Sequence, residues 1–216
     1  MEREGYLARD KTNLRYEIGL KILAIARGAL RQVDSRKTVD PVLERLAQDT
    51  GLDVIICVLE QEQVLVVNRI VSPDFLNSDV GTGTEFPAHA TSAGKVLLAH
   101  LPPAELLTLL DTNALVKNTP KTLVGREDLL TNLDSIRQQG YADCFEEFEL
   151  GLRSIAVPIV DSGRSVWAAL STIGSTQDDA WQDLPALVNI LKVSAREISH
   201  SMHAVSLDRF TRRLGE

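Results

Sequence analysis

Thr91-Ser92-Ala93-Gly94-Lys95-Val96-Leu97-Leu98-Ala99 reads as a helix with a hydroxyl-bearing N-cap, set between two stretches patterned as β-strands. Before it, Leu52–Leu59 and Val64–Val71 are rich in Val, Ile and Leu, with polar Glu60-Gln61-Glu62-Gln63 between them, which predicts a β-hairpin with a short loop. After it, Ile155–Ile159 and Val166–Ile173 read as strands joined by the turn Asp161-Ser162-Gly163-Arg164. Pro102-Pro103 stops the central helix and a short one follows over Ala104–Leu110. Arg126–Gln139 is helical in period, with Leu129, Leu130, Leu133 and Ile136 inward and Gly140 as its stop. Two hairpin regions separated by helices give an α+β domain on a largely antiparallel sheet, with helices on both faces.

Outward from this centre, Asp40-Pro41 opens a helix with Leu43, Leu46 and Ala47 inward, ending at Gly51. Gly81 and Gly83 punctuate an irregular crossing segment. A long amphipathic helix runs through Leu184, Leu187, Leu191, Ile198, Met202 and Val205 to the end. At the other end, Gly5–Asp10 and Leu14–Tyr16 flank the polar Lys11-Thr12-Asn13, a hairpin pattern. Ile18, Ile22, Ile25, Ala26, Ala29 and Val33 then make one apolar stripe of helical spacing that needs a partner surface.

Composition narrows the class. The 216 residues carry a net charge of −7, which argues against a broad nucleic-acid surface. Residues 1–40 hold nine Lys/Arg and six Asp/Glu, a basic head on an acidic body. No stretch is apolar for long enough to cross a membrane, and the first residues lack the core of a secretory signal. Cys57 and Cys144 cannot build a disulfide framework, so a reducing, cytoplasmic setting is expected. His89, His100, His200 and His203 are scattered, and no metal or other cofactor is expected.

Two segments could carry chemistry. Free N–H groups at the helix start after Thr91 attract carboxylate or phosphate, and small side chains at Ser92, Ala93 and Gly94 would let a ligand approach. The bland alternative is a capped helix packed on a sheet. The second segment, Asp143–Glu149, holds four carboxylates. On an extended chain Glu146 and Glu147 would face opposite ways, so a solvated strand and turn explains most of them. Cys144 is a conceivable nucleophile with no base nearby in sequence. Pleating puts Leu152, Ser154, Ala156 and Pro158 on one face, and Trp167, Ala169, Ser171 and Ile173 on another, a concave surface for a small, partly polar ligand.

Phe86–Ala99 resembles the opening of the central helix in effector-binding domains of the IclR family of bacterial transcriptional regulators. Gly140-Tyr141, Glu146-Glu147 and Gly151-Leu152-Arg153-Ser154-Ile155-Ala156-Val157-Pro158 resemble the second signature of that domain, and Gly5-Tyr6-Leu7 with Tyr16–Gly19 resembles the end of the DNA-binding wing. The resemblance implies a GAF/PAS-like curved sheet, a wing remnant over 1–16, a linker helix over 17–36 and an effector-binding domain over 37–216. It also implies a ligand-sensing, oligomerising, non-enzymatic role as a homodimer or tetramer. Promoter DNA would be reached only through a helix-turn-helix absent from this sequence. Ligand contacts carried over are Ser92, Ala93, Cys144, Ser154 and Ser171, with Phe75, Phe86 and Leu152 as apolar walls. Cys144 and Ile173 stand where some relatives carry more polar groups, so the resemblance favours an aromatic or larger carboxylate over glyoxylate or pyruvate. Two rivals stand beside it: a cysteine hydrolase using Cys144, and an oligomerisation module with a vestigial pocket.

Overall fold

The computed structural model describes residues 7–9, 16–18, 36–72, 80–161 and 163–213. The chain divides into two compact units, residues 1–37 and 38–216. In the first, β1 (Leu7–Arg9) and β2 (Tyr16–Ile18) pair antiparallel, Leu7 opposite Ile18. Since Tyr16–Ile18 is strand, a linker helix cannot begin at residue 17. The rest of the apolar stripe through Val33, like Phe75, lies outside the described residues.

The second unit is built on one six-stranded sheet. Its strands are β3 (Asp53–Glu60), β4 (Gln63–Ile70), β5 (Glu85–Pro87), β6 (Ala142–Phe145), β7 (Leu152–Val160) and β8 (Val166–Ser175). They lie in the order β5-β4-β3-β8-β7-β6, each pair antiparallel. The first hairpin turns through Gln61 and Glu62, with Gln61 at φ 56°. The two hairpins join where β3 meets β8, Asp53 opposite Ile173.

Side-chain alternation sorts the strands onto two cores. Val54, Ile56, Ile155, Val157 and Leu170 pack under α1 (Arg36–Thr50) and the final helix, whose Leu191 and Ile198 are fully buried. Ile55, Cys57, Ala156 and Ala169 face the other way, onto α2 (Ser92–Ala99) and α4 (Arg126–Gln139), with α3 (Pro103–Thr112) beside them. The final helix is α5 (Leu184–Arg213). Helices therefore cover both faces of an antiparallel sheet, the α+β class expected.

Several local expectations are sharpened or corrected. α4 has the expected bounds, and Gly140 ends it at φ 74°, a left-handed conformation that glycine takes without strain. Leu130 is only partly buried, unlike Leu129, Leu133 and Ile136. α1 begins at Arg36 rather than at Asp40, and carries Pro41 inside it. Val39 is buried with Val42, Leu43 and Leu46, so the apolar stripe extends a turn upstream and its burial outweighs the lost backbone bond. The short strand β5 and the 3-10 turn Ala88–Ala90 were not expected. They matter, because they deliver the chain to the start of α2.

Candidate functional site

Thr91 (φ −125°, ψ 149°) caps α2. Its Oγ accepts the Gly94 N–H at 3.2 Å and its carbonyl accepts the Lys95 N–H at 2.9 Å. Gly94 is thereby satisfied by the cap, and the N–H groups of Ser92 and Ala93 remain for an outside acceptor. Both residues border a cavity of about 60 Å³ between α2, the sheet and the turn after β6. Gly94 plays a different part from the one expected. A Cβ there would lie 2.1 Å from the Ala88 carbonyl oxygen, so the glycine admits the preceding 3-10 turn rather than a ligand.

Opposite the helix start, three hydroxyls meet. Ser92 Oγ donates to Ser154 Oγ at 2.8 Å and lies 3.0 Å from Ser171 Oγ, while Ser171 Oγ donates to the Ile155 carbonyl at 3.0 Å. With the Ser92 and Ser171 protons so placed, that of Ser154 is left to donate into the cavity. Much of the remaining wall is apolar, with Ile55, Val64, Phe86, Phe148, Leu152 and Ile173, while Glu147 and Glu149 also border it. Phe86 and Phe148 meet edge to face, with centroids 5.1 Å apart. Arg153 also borders the cavity, but Asp143 already holds its guanidinium at 3.0 and 2.6 Å. The anion-receptive groups of the site are thus backbone N–H and hydroxyls.

The acidic segment departs from expectation. It is extended only through Phe145: Glu146 sits at φ 57° and the chain turns back through Gly151. Glu146 points outward to Lys121, and this contact together with the Gly151 N–H holds its carboxyl below the usual range. Glu147 turns inward, 9% exposed, and its Oε1 accepts from Lys95 Nζ at 2.5 Å. Lys95 is fully buried. Glu147 borders the cavity, and its Oε2 is buried without a hydrogen-bond partner. Thr119 Oγ and Thr122 Oγ, each at 2.6 Å, donate to the carbonyls of Glu146 and Glu147 and fix the turn. The reading of this segment as a solvated strand therefore fails at Glu147.

Cys144 does not qualify as a nucleophile. Its Sγ is buried and donates to the Ala90 carbonyl at 3.3 Å, and burial drives its ionisation far above the ordinary thiol range. Its charged neighbours are Lys95, Glu147 and Asp143, and Lys95 is already engaged by Glu147. The Cys57 thiol is pushed up to about 12 by burial alone.

Of the residues singled out from sequence, Ser92, Ala93, Cys144, Ser154, Ser171, Phe86, Leu152 and Ile173 all border this cavity. Trp167 does not; it lies by Leu59, Leu97 and His100. His89 Nε2 meets the Val116 carbonyl at 2.9 Å and His100 Nδ1 meets that of Val96 at 2.8 Å. Among the described residues, no group of three His, Cys, Asp or Glu gathers that could hold a metal ion. Nor is any described helix long and apolar enough to cross a membrane. Glu147 and Phe148 were missed. The signal for the former was Lys95 itself, the lone charge on a buried helix that carries no other.

Comparison with known proteins places this geometry in context. The family model for the C-terminal part of bacterial transcriptional regulator IclR matches residues 27–200. The transcriptional regulator KdgR of Escherichia coli is 32% identical over 202 residues, covering 94% of this chain and 77% of its own. The Thermotoga maritima IclR structure superposes with a TM-score of 0.78 at 26% identity, over 94% of this chain and 81% of that one. An IclR homologue from Microbacterium hydrocarbonoxydans, crystallised with 4-hydroxybenzoate, superposes with a TM-score of 0.79 at 29% identity, over 94% and 82%.

Proposed function

The chain belongs to the IclR family of transcriptional regulators and contains its C-terminal effector-binding domain, and from that premise we propose that the cavity beside α2 receives a small organic acid whose binding alters operator affinity. As in its relatives, the role is regulatory rather than enzymatic.

The observation that carries this reading is the convergence of the free Ser92 and Ala93 N–H groups with the Ser154 hydroxyl on a largely apolar cavity. A carboxylate seated there accepts from the helix start and from Ser154, while Phe86, Phe148 and Leu152 cover its apolar part. Size refines the ligand. A cavity of about 60 Å³ holds roughly four to six water-sized spheres, which suits an acid of three or four carbons as it stands. A monocyclic aromatic acid, such as the 4-hydroxybenzoate of the Microbacterium homologue, enters when the Phe86–Phe148 contact opens.

In the proposed regulator, the segment between β2 and α1 links this domain to a DNA-binding part, subunits associate as dimers or tetramers, and ligand shifts their arrangement. Promoter DNA is contacted by that DNA-binding part. The cavity distinguishes this reading from an oligomerisation module with a vestigial pocket. Calorimetry over a panel of aliphatic and aromatic monocarboxylates tests it. Binding to the wild-type chain and its loss in Ser154→Trp, which fills the cavity, are expected. A folded chain that binds no acid in the panel would sink the proposal.

A further inference from the structure

Among the described residues, Glu147 is the one acidic side chain bordering the cavity that has a buried oxygen without a hydrogen bond. Its carboxylate is spoken for on one side only: Oε1 is held by Lys95, and Thr119 and Thr122 fix the backbone on either side of the side chain. Cys144 lies within side-chain hydrogen-bond reach of Glu147, but its Sγ is directed to the Ala90 carbonyl at 3.3 Å, and its one proton is engaged there. A desolvated carboxylate oxygen without a donor is costly, and the cost is relieved by a ligand that brings one. We infer that Glu147 Oε2 reads a hydroxyl on the bound acid, so that the site selects hydroxycarboxylates over the same acids without the hydroxyl. This rests on the cavity being the acid site, and it adds the chemical class of the ligand.

Charge counting favours a hydroxyl over an ammonium as the donor. Lys95 already neutralises Glu147, so the larger desolvation cost of an ammonium is not repaid by an unpaired charge there, whereas a hydroxyl is cheap to bury once it is hydrogen-bonded. On this assignment the carboxylate takes the Ser92 and Ala93 N–H groups and the hydroxyl takes Glu147, with Phe86, Phe148 and Leu152 against the apolar body. Glu147 is thereby a specificity residue as well as half of an ion pair.

Titration calorimetry on the full chain with three matched pairs of probes tests the inference: 4-hydroxybenzoate with benzoate, lactate with propionate, and lactate with alanine. In at least one of the first two pairs the hydroxy acid is expected to bind about tenfold tighter or better, and alanine is expected to bind more weakly than lactate. In Lys95→Met/Glu147→Leu the buried pair is replaced by apolar side chains of similar size; acid binding persists and the hydroxyl preference collapses. Glu147→Gln, which keeps the size of the side chain, serves as a second variant and also lowers the preference. Equal affinities within both hydroxy/deoxy pairs overturn the inference and leave the acid site standing. Absence of all binding overturns both. A preference unchanged in either folded variant, or alanine binding as tightly as lactate, also overturns the assignment to Glu147.

Discussion

Lys95→Met isolates the energetics of the buried pair. Lys95 is fully buried and the Glu147 side chain is 11% exposed, so removing the ammonium strands a carboxylate that water barely reaches. Breaking such a pair from one side costs about 3–5 kcal/mol, because the abandoned charge keeps its desolvation penalty and loses its compensation. For a domain of this size that corresponds to a fall in Tm of roughly 6–20 °C. Glu147→Leu strands the ammonium instead and falls by a similar amount. The double variant, with both charges gone and the volume kept, is expected within about 1–2 kcal/mol of wild type or above it. The assay is urea unfolding followed by far-ultraviolet circular dichroism on all four proteins, with the coupling taken from the cycle. If the two single losses simply added in the double variant, the pair would not be an interacting unit and the account of the acidic turn would be wrong.

Other outcomes follow from single features. Gly94→Ala places a Cβ 2.1 Å from the Ala88 carbonyl oxygen and 2.3 Å from its Cα; backbone must move, and a loss of about 2–4 kcal/mol is expected in the same unfolding assay, together with weakened acid binding as the helix start shifts. The thiols predict an alkaline effect. The folded chain keeps Cys57 protonated up to about 12 whereas the unfolded chain ionises it near the ordinary value of 9.0. Stability is therefore intact below pH 9 and falls as pH rises from there toward 12, by up to ~1.4 kcal/mol per pH unit for each such thiol. Comparing unfolding at pH 8 and pH 10, Cys57→Ala should show a shallower decline than wild type; identical slopes would count against the buried-thiol assignment.

What the sequence makes legible is what repeats locally. The three- and four-residue spacing of Leu129, Leu133 and Ile136, closed by Gly140, defines α4 without reference to anything else. Alternation along β7 likewise placed Leu152 and Ser154 on one face, and both border the cavity. The partnership of Lys95 with Glu147 is different in kind. It joins residues 52 positions apart, and neither local pattern carries the other's address. The acidic run invited a solvent-exposed reading because charge alone does not reveal the positive φ at Glu146 that turns its neighbour inward. Gly94 was misread for a related reason: its space is taken by Ala88, delivered there by a strand of three residues too short to announce itself.

The sheet order has a consequence for how the chain comes to be folded. β3 pairs with β4 across a two-residue turn, but its other neighbour is β8, made more than a hundred residues later. Closing that loop costs chain entropy before any contact rewards it, so this pairing is the natural slow step. During synthesis the first hairpin must wait with one edge open until β8 leaves the ribosome. Meanwhile Ile55 and Cys57 have only part of their final cover. This interval is when the nascent chain is most exposed to wrong edge pairing, and when a chaperone would have the most to gain by holding it.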